Sequence, residues 1–347
     1  MDRGSWKSGE ILEEAHNGVT EVRPHRLPAD RDGGSANRVA EARLDTARNS
    51  LRNRVGREVG GMITENDHFE YVKCAICLKD ETEAFVHGEG TAQIVRCLND
   101  GLLYRNPRPK SGELKDFQTE FVPRAGLEWF VRRQRALGKA AEAIKKVKTG
   151  GALLDIGCAT GNFFENFRDG AWRLHGLEPS PKGVEVARDR YHAEVFCGTL
   201  REAHYPDRFF DVVSVMDALY YSTDPKADLV EIRRILKDDG LLAVEIPGIA
   251  AMKLRDKGLL CWLLEGRWER LFTVSAILYF FSPSTMGLLF KGAGFRVLRM
   301  VPGASVSVRK LGQAYNDLYF TLAWMLFKAS AGRFSVAGRE LYLGVKA

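Results

Sequence analysis

Two groups of residues in this 347-residue chain have types and spacings that fit known chemistry. The first is Cys74-x-x-Cys77, followed after 19 residues by Cys97, with Asp100 where a zinc ribbon would carry its fourth cysteine. Thiolate sulfur and carboxylate oxygen both ligate zinc, and four protein ligands leave no open position, so such a site would hold structure rather than perform catalysis. His87 is an alternative fourth ligand. A degenerate ribbon that folds without metal is the competing reading. Cys158, Cys197 and Cys261 have no partner in the sequence pattern and are read as buried or incidental.

The second group is the run Leu153-Leu154-Asp155-Ile156-Gly157-Cys158-Ala159-Thr160-Gly161-Asn162-Phe163-Phe164. An apolar strand ends in an acid, a turn of small residues follows, and a helix bearing Phe163, Phe164 and Phe167 comes next. Small residues at 157, 159 and 161 let the backbone approach a ligand closely. A dinucleotide fingerprint, G-x-G-x-x-G, needs its last glycine at 162, where this chain has Asn162. No Gly-Lys-Ser/Thr follows, which excludes a P-loop. About twenty residues on, Gly176-Leu177-Glu178-Pro179-Ser180 puts an acid at the end of a second strand, placed to accept both ribose hydroxyls of a nucleoside. A glycine turn that merely joins strand to helix is the bland alternative, and the two features together argue against it.

The elements that must position these residues read as an α/β fold. From Ala152 onward short apolar runs alternate with amphipathic helices, the signature of a parallel sheet. Seven strands are expected: Ala152–Ile156, Trp172–Glu178, Glu194–Cys197, Phe210–Met216, Gly240–Ile246, Phe295–Val301 and Glu340–Lys346. A helix is expected from about Leu127 to Val147. Residues 1–61 form an Arg-rich leader, disordered or partly helical, with Val39, Leu44, Leu51 and Val55 as one candidate stripe. Met62 is a plausible alternative start. Residues 70–110 form the small cysteine-bearing unit and 111–347 the main domain, with insertions at about 250–280 and 303–338.

The net charge of +6 comes from 51 basic and 45 acidic residues, with 11 and 10 of them in residues 1–61, so it is spread thinly. No basic stripe interleaved with aromatics is present, and no nucleic-acid partner is expected. The opening Met1-Asp2-Arg3-Gly4 lacks the apolar stretch of a cleavable signal, which makes a cytoplasmic location the expectation.

Several further runs match a known family. Gly170-Ala171-Trp172-Arg173-Leu174-His175-Gly176-Leu177-Glu178-Pro179-Ser180, Phe210-Asp211-Val212-Val213, Asp224-Pro225, Leu236-Lys237-Asp238-Asp239-Gly240-Leu241-Leu242 and Tyr279-Phe280-Phe281-Ser282-Pro283-Ser284-Thr285-Met286 occur in that order. In these the chain resembles class I S-adenosylmethionine-dependent methyltransferases, above all the branch acting on small molecules and glycans. The resemblance implies a Rossmann-like seven-stranded sheet with its last strand antiparallel, bearing a small N-terminal zinc-ribbon-like unit. It implies S-adenosylmethionine as cofactor, with Asp155, Gly157, Ala159 and Gly161 as the methionine and adenosine cradle and Glu178 on the ribose. Thr199 and Leu200 would contact the adenine, and Met216 and Asp217 the methionine moiety and methyl group; a helix cap is the other reading of Asp217. Members often carry such a ribbon followed by Leu-x-Tyr-x-Asn-Pro-Arg-Pro, matched here by Leu103-Tyr104-Arg105-Asn106-Pro107-Arg108-Pro109 within Leu102–Pro109.

The chain departs from the family at two positions. Tyr221 and Ile277 stand where members often have histidines, which removes two candidate bases; Tyr221 and the nearby His204 are the remaining candidates. Phe163, Tyr220 and Tyr221 could sit against a cationic sulfur. Leu259, Leu260, Trp262, Leu263, Leu264, Trp268, Leu271 and Phe272 suit an apolar lid, and Leu318–Phe327 is apolar nearly all round, so it is either buried, the favoured reading, or in peripheral contact with a lipid surface. The expected activity is methyl transfer to a small biosynthetic acceptor, such as a glycan, lipid-linked or secondary-metabolite intermediate. A non-catalytic binding or scaffold protein on the same fold is the alternative.

Overall fold

Strands that are apolar on both faces need cover on both faces, and the sequence supplies it by alternation. The computed structural model describes residues 68–86, 93–255, 277–303, 310–330 and 335–347. The Arg-rich leader, His87, Cys261 and the lid residues 259–272 lie outside these. In the large sheet β6 (Gly151–Ile156), β7 (Trp172–Glu178), β8 (Glu194–Cys197), β9 (Phe210–Met216), β10 (Leu236–Pro247), β12 (Phe295–Gly303) and β13 (Arg339–Lys346) run in the order β12-β13-β10-β9-β6-β7-β8. β6 pairs in parallel with β7 and β9, β7 with β8, and β9 with β10, whereas β13 runs antiparallel to both β10 and β12. This is the α/β sheet with an antiparallel last strand that the family resemblance implies, and each of the seven expected strands is found within four residues of its expected bounds.

Alternate residues feed two separate cores, as the two-residue period of a strand requires. Leu153, Val212, Leu241, Ala243, Leu341 and Leu343 pack on one face with α1 (Ser111–Lys145) and α2 (Pro181–Tyr191). Leu154, Val213, Val215, Leu242, Val244 and Ile246 pack on the other with α3 (Pro225–Ile235) and α5 (Pro283–Gly292). Asp224 caps α3 by accepting from the Ala227 amide at 3.0 Å, and Ser282 and Thr285 form a capping box on α5. α4 (Ile249–Arg255) opens the first insertion and α6 (Lys310–Ala329) lies in the second.

Two local expectations are corrected and one is refined. α1 begins at Ser111, sixteen residues before the expected start, and ends at Lys145, two residues before the expected end. The helix expected after the glycine turn is present, as a 3-10 helix over Asn162–Phe167. In α6, Leu318 to Phe327 is not buried all round: only Ala323 is buried, and Leu318, Leu322, Trp324, Met325 and Leu326 are exposed.

The cysteine-bearing segment folds as β2 (Thr82–Val86), β3 (Ile94–Cys97) and β4 (Leu103–Arg105), while β1 (Phe69–Glu70) pairs with β5 (Arg108–Pro109). Its sheet gains a fourth strand from far along the chain: β11 (Tyr279–Phe280) pairs antiparallel with β4. The described residues accordingly fall in one compact unit, Glu65–Ala347.

Candidate functional site

The carboxyl ends of β6, β7, β9 and β10 carry the residues with unusual backbone or unusual burial. At the end of β6 the turn runs through Gly157 (φ 74°), Ala159 (φ 50°) and Gly161 (φ 76°). Gly157 has a double reason to be glycine, because a Cβ there would also lie 2.7 Å from the Ala218 methyl. The turn is tied to the next strand: the amides of Gly157 and Cys158 both donate to the Leu177 carbonyl, at 2.7 and 3.2 Å. Asp155, one step before the turn, is buried and accepts a hydrogen bond from the Ser214 hydroxyl at 2.7 Å. Burial pushes its carboxyl up to about 7, against the opposing pull of Ser214 and Arg133.

Glu178 closes β7 facing this turn. It is 5% exposed, and its two carboxylate oxygens accept one amide each, from Ala159 (2.9 Å) and Ser180 (3.0 Å). Burial raises its carboxyl to about 7, while those two amides hold it lower than burial alone would. A carboxylate offers about four lone-pair directions, so two remain for hydroxyl donors. The Ser180 hydroxyl beside it is fully buried with no hydrogen-bond partner. A buried acid with spare acceptor capacity next to an unsatisfied hydroxyl is the arrangement a ribose diol would complete, so the residues present fit a nucleoside cofactor.

Beyond β8, the Gly198 amide donates to the Glu178 carbonyl at 3.1 Å, which brings the next segment alongside. Thr199 spends its amide and hydroxyl on Glu202 (2.7 and 2.8 Å), and Leu200, the other expected adenine contact, is buried against the core.

Met216 is buried at the end of β9, and Asp217 follows it in left-handed backbone (φ 59°). Asp217 caps no helix. Its carboxylate is paired with Arg133 of α1 (2.5 Å) and with Arg339 of β13, and Arg133 also bonds Glu245 of β10 at 2.8 Å. This largely buried group of two arginines and two acids joins α1, β10, β13 and the residue after β9, and Arg133, Glu245 and Arg339 were not singled out from the sequence. Glu245 alone left a signal, as an acid inside the apolar run Leu241–Ile246.

The two candidate bases are not brought together. Tyr221 ends a one-turn 3-10 helix, Leu219–Tyr221, and its ring lies 4.5 Å from that of Tyr220. Burial pushes both phenols above their ordinary value, so they stay protonated at neutral pH. His204 is exposed and lines a surface depression with Arg201, Tyr205, Glu231 and Arg234, none of them residues of the turn or of the Asp217 group. Phe163 is buried and packs edge-to-face on Phe167 (5.1 Å), which makes it core beneath the turn. A small apolar cavity does open beside Tyr220, walled by Ile246, Ile249, Met252, Ile277 and Phe281.

Cys74, Cys77, Cys97 and Asp100 converge so that one ligand atom from each lies within 4.8 Å of all the others. Cys74 Sγ stands 3.2 Å from Asp100 Oδ2 and Cys77 Sγ 3.5 Å from Cys97 Sγ, separations that a tetrahedral ion bridges. Asp100 is oriented by the Leu102 amide on its other oxygen (2.9 Å). Of the remaining cysteines, Cys158 is buried and Cys197 exposed.

A doubly wound sheet with a left-handed glycine turn after one strand and a buried acid closing the next is an arrangement that fits a nucleoside ligand. Residues 129–300 match the family model described as a methyltransferase domain. A malonyl-[acyl-carrier protein] O-methyltransferase of Serratia marcescens is 28% identical over 126 residues, 36% of this chain and 49% of that protein. A ubiquinone biosynthesis O-methyltransferase of Rhodopseudomonas palustris is 27% identical over 138 residues, 38% of this chain and 51% of its own length. The chain thus spans about half the length of the curated relatives it matches. Among solved structures, a methyltransferase from Thermotoga maritima, described as a possible histamine N-methyltransferase, aligns over 67% of this chain and 100% of its own, with 22% identity and a TM-score of 0.48. The chain is a member of the class I S-adenosylmethionine-dependent methyltransferases.

Proposed function

We propose that the protein transfers a methyl group from S-adenosylmethionine to an oxygen of a small biosynthetic acceptor, such as a glycan, lipid-linked or secondary-metabolite intermediate. The observation that carries this reading is Glu178, buried at the end of β7, bonded to the Ala159 amide of the turn and left with acceptor capacity beside the unpartnered Ser180 hydroxyl. When bound, the cofactor supplies a methyl group on a cationic sulfur, open to in-line displacement. The chain's own part is alignment and exclusion of water. Glu178 accepts the ribose hydroxyls, Gly157 and Gly161 let the backbone approach, and Leu200 covers the adenine. Met216, Tyr220 and the apolar cavity wall keep water from the reacting atoms.

Two of the curated relatives are named as O-methyltransferases, which supports an oxygen acceptor. Tyr221 stays protonated and His204 is exposed elsewhere, so neither suits the role of base. An acceptor oxygen that is ionised on its own at neutral pH, a carboxylate or an acidic phenol or enol, fits a site of this kind. Cys74, Cys77, Cys97 and Asp100 are assigned as a structural zinc site, supported by their convergence. A non-catalytic binding protein on the same fold is the second reading, favoured by the engagement of Asp217 with two arginines. Incubation with methyl-labelled cofactor and a cell extract separates the two. Label transfer that the Gly157→Arg variant abolishes supports catalysis, and cofactor binding without any transfer supports the second reading.

A further inference from the structure

The face of α6 that points away from the sheet is apolar where a surface helix is normally polar. Leu318, Leu322, Met325 and Leu326 follow the i, i+4, i+7, i+8 spacing of a single helical stripe and are 62, 49, 48 and 50% exposed. The opposite side meets the protein through buried Ala323 and half-buried Tyr319, Phe320 and Phe327. Trp324, 44% exposed, flanks the stripe with the Lys328 ammonium 5.2 Å from its ring. The helix is 20 residues long, and no described helix is long and apolar enough to cross a membrane.

Charge selects among the possible occupants. From Gly303 to Arg333 the sequence carries four basic residues against one acid, Asp317: Arg309 immediately precedes α6 in sequence, Lys310 is its first residue, Lys328 stands in its last turn and Arg333 follows four residues after its end. In a second copy paired through this stripe, parallel or antiparallel, like charges would meet at both ends. A plane of anionic headgroups answers both ends at once, and a helix with one apolar face, a tryptophan at its margin and lysines about it lies in such a plane rather than across it. We propose that α6 is an interfacial helix that docks the protein on anionic lipid bilayers through Leu318, Leu322, Met325 and Leu326. This inference stands independently of the methyltransferase reading, since it requires neither cofactor nor acceptor.

The test is cosedimentation of the full chain with vesicles of phosphatidylcholine alone and of phosphatidylcholine with phosphatidylglycerol, in parallel with sedimentation equilibrium without lipid. The expected result is binding to the phosphatidylglycerol vesicles that weakens with added salt. Leu322→Glu should lower the affinity about tenfold or more, and Lys328→Glu by a smaller factor. Leu322→Ser is the second variant, and circular dichroism of each verifies the fold. The proposal is overturned if neither vesicle is bound, if folded Leu322→Glu and Leu322→Ser bind as the wild type does, or if the chain self-associates through this face, with Leu322→Glu restoring the monomer and no vesicle bound.

Discussion

Arg108, on the last strand of the cysteine-bearing segment, donates a hydrogen bond to the Tyr279 hydroxyl at 2.9 Å, across 171 residues of sequence. The same guanidinium reaches the Thr223 carbonyl (2.6 Å) and Glu70 (2.9 Å). Close by, the Arg105 amide donates to the Leu278 carbonyl (2.9 Å) and the Leu278 amide to the Tyr220 carbonyl (3.0 Å). The segment that would hold zinc is therefore bonded to the loop that follows β9.

Arg108→Met should destabilise the protein by about 2–4 kcal/mol, because it removes three charge-assisted bonds and leaves the half-buried Thr223 carbonyl and the buried Tyr279 hydroxyl with only the 3.3 Å bond between them. Urea denaturation followed by both fluorescence and circular dichroism measures it. The transition should stay single, since the cysteine-bearing segment and the large sheet share one core.

Chelation is expected to lower the melting temperature and to release close to one equivalent of zinc from the purified protein, as read by a colorimetric metal assay. Cys77→Ser should abolish the metal content and Asp100→Ala should weaken it. Metal below about half an equivalent, unchanged in any cysteine variant, would favour the ribbon that folds without an ion.

Asp217→Asn isolates the charge from the backbone, because asparagine also tolerates the left-handed conformation that residue 217 adopts. It removes the carboxylate charge that Arg133 and Arg339 share, and a loss of about 3 kcal/mol is expected from stripping a largely buried pair of one partner. Thermal unfolding of the variant and of Asp217→Asn/Arg339→Met would show the loss partly recovered in the double variant.

The raised carboxyl of Glu178 predicts a pH dependence of definite sign. Unfolded, the group ionises near 4.5; folded, it holds its proton to about 7. Between those values the folded state binds the extra proton, so stability from this group is present at low pH and is lost as pH rises toward 7. Relative to Glu178→Gln, the wild type should become less stable by up to about 3 kcal/mol between pH 4 and pH 8, measured by urea denaturation at a series of pH values. Cofactor affinity should run the other way, improving as pH rises through about 7 and the carboxylate becomes ready to accept ribose hydroxyls.

Much of this architecture is legible in the sequence because parallel strands advertise themselves. Trp172–Glu178, Glu194–Cys197 and Phe210–Met216 are bounded by glycine, proline and polar turns, and their observed limits match those read from pattern. Gly157 and Glu178 are legible for the same reason, since each sits at a strand end where the backbone or burial demands that residue type. What was not legible depends on partners remote in sequence. β11 is two residues long and has no periodicity of its own; it exists because β4 lies beside it. Arg133 and Arg339 look like ordinary surface arginines until folding brings them to Asp217. The stretch Leu318–Phe327 is apolar nearly all round, so composition alone could not tell its buried face from its open one.

The central claim, a nucleoside cofactor held by Glu178 and the Gly157–Gly161 turn, is tested most directly by titration calorimetry with S-adenosylmethionine and its demethylated product. The account predicts saturable binding of both ligands at one site, weakened about tenfold or more in Glu178→Ala. Folded wild-type protein that binds neither ligand, or Asp155→Ala and Glu178→Ala variants that bind as the wild type does, would contradict it.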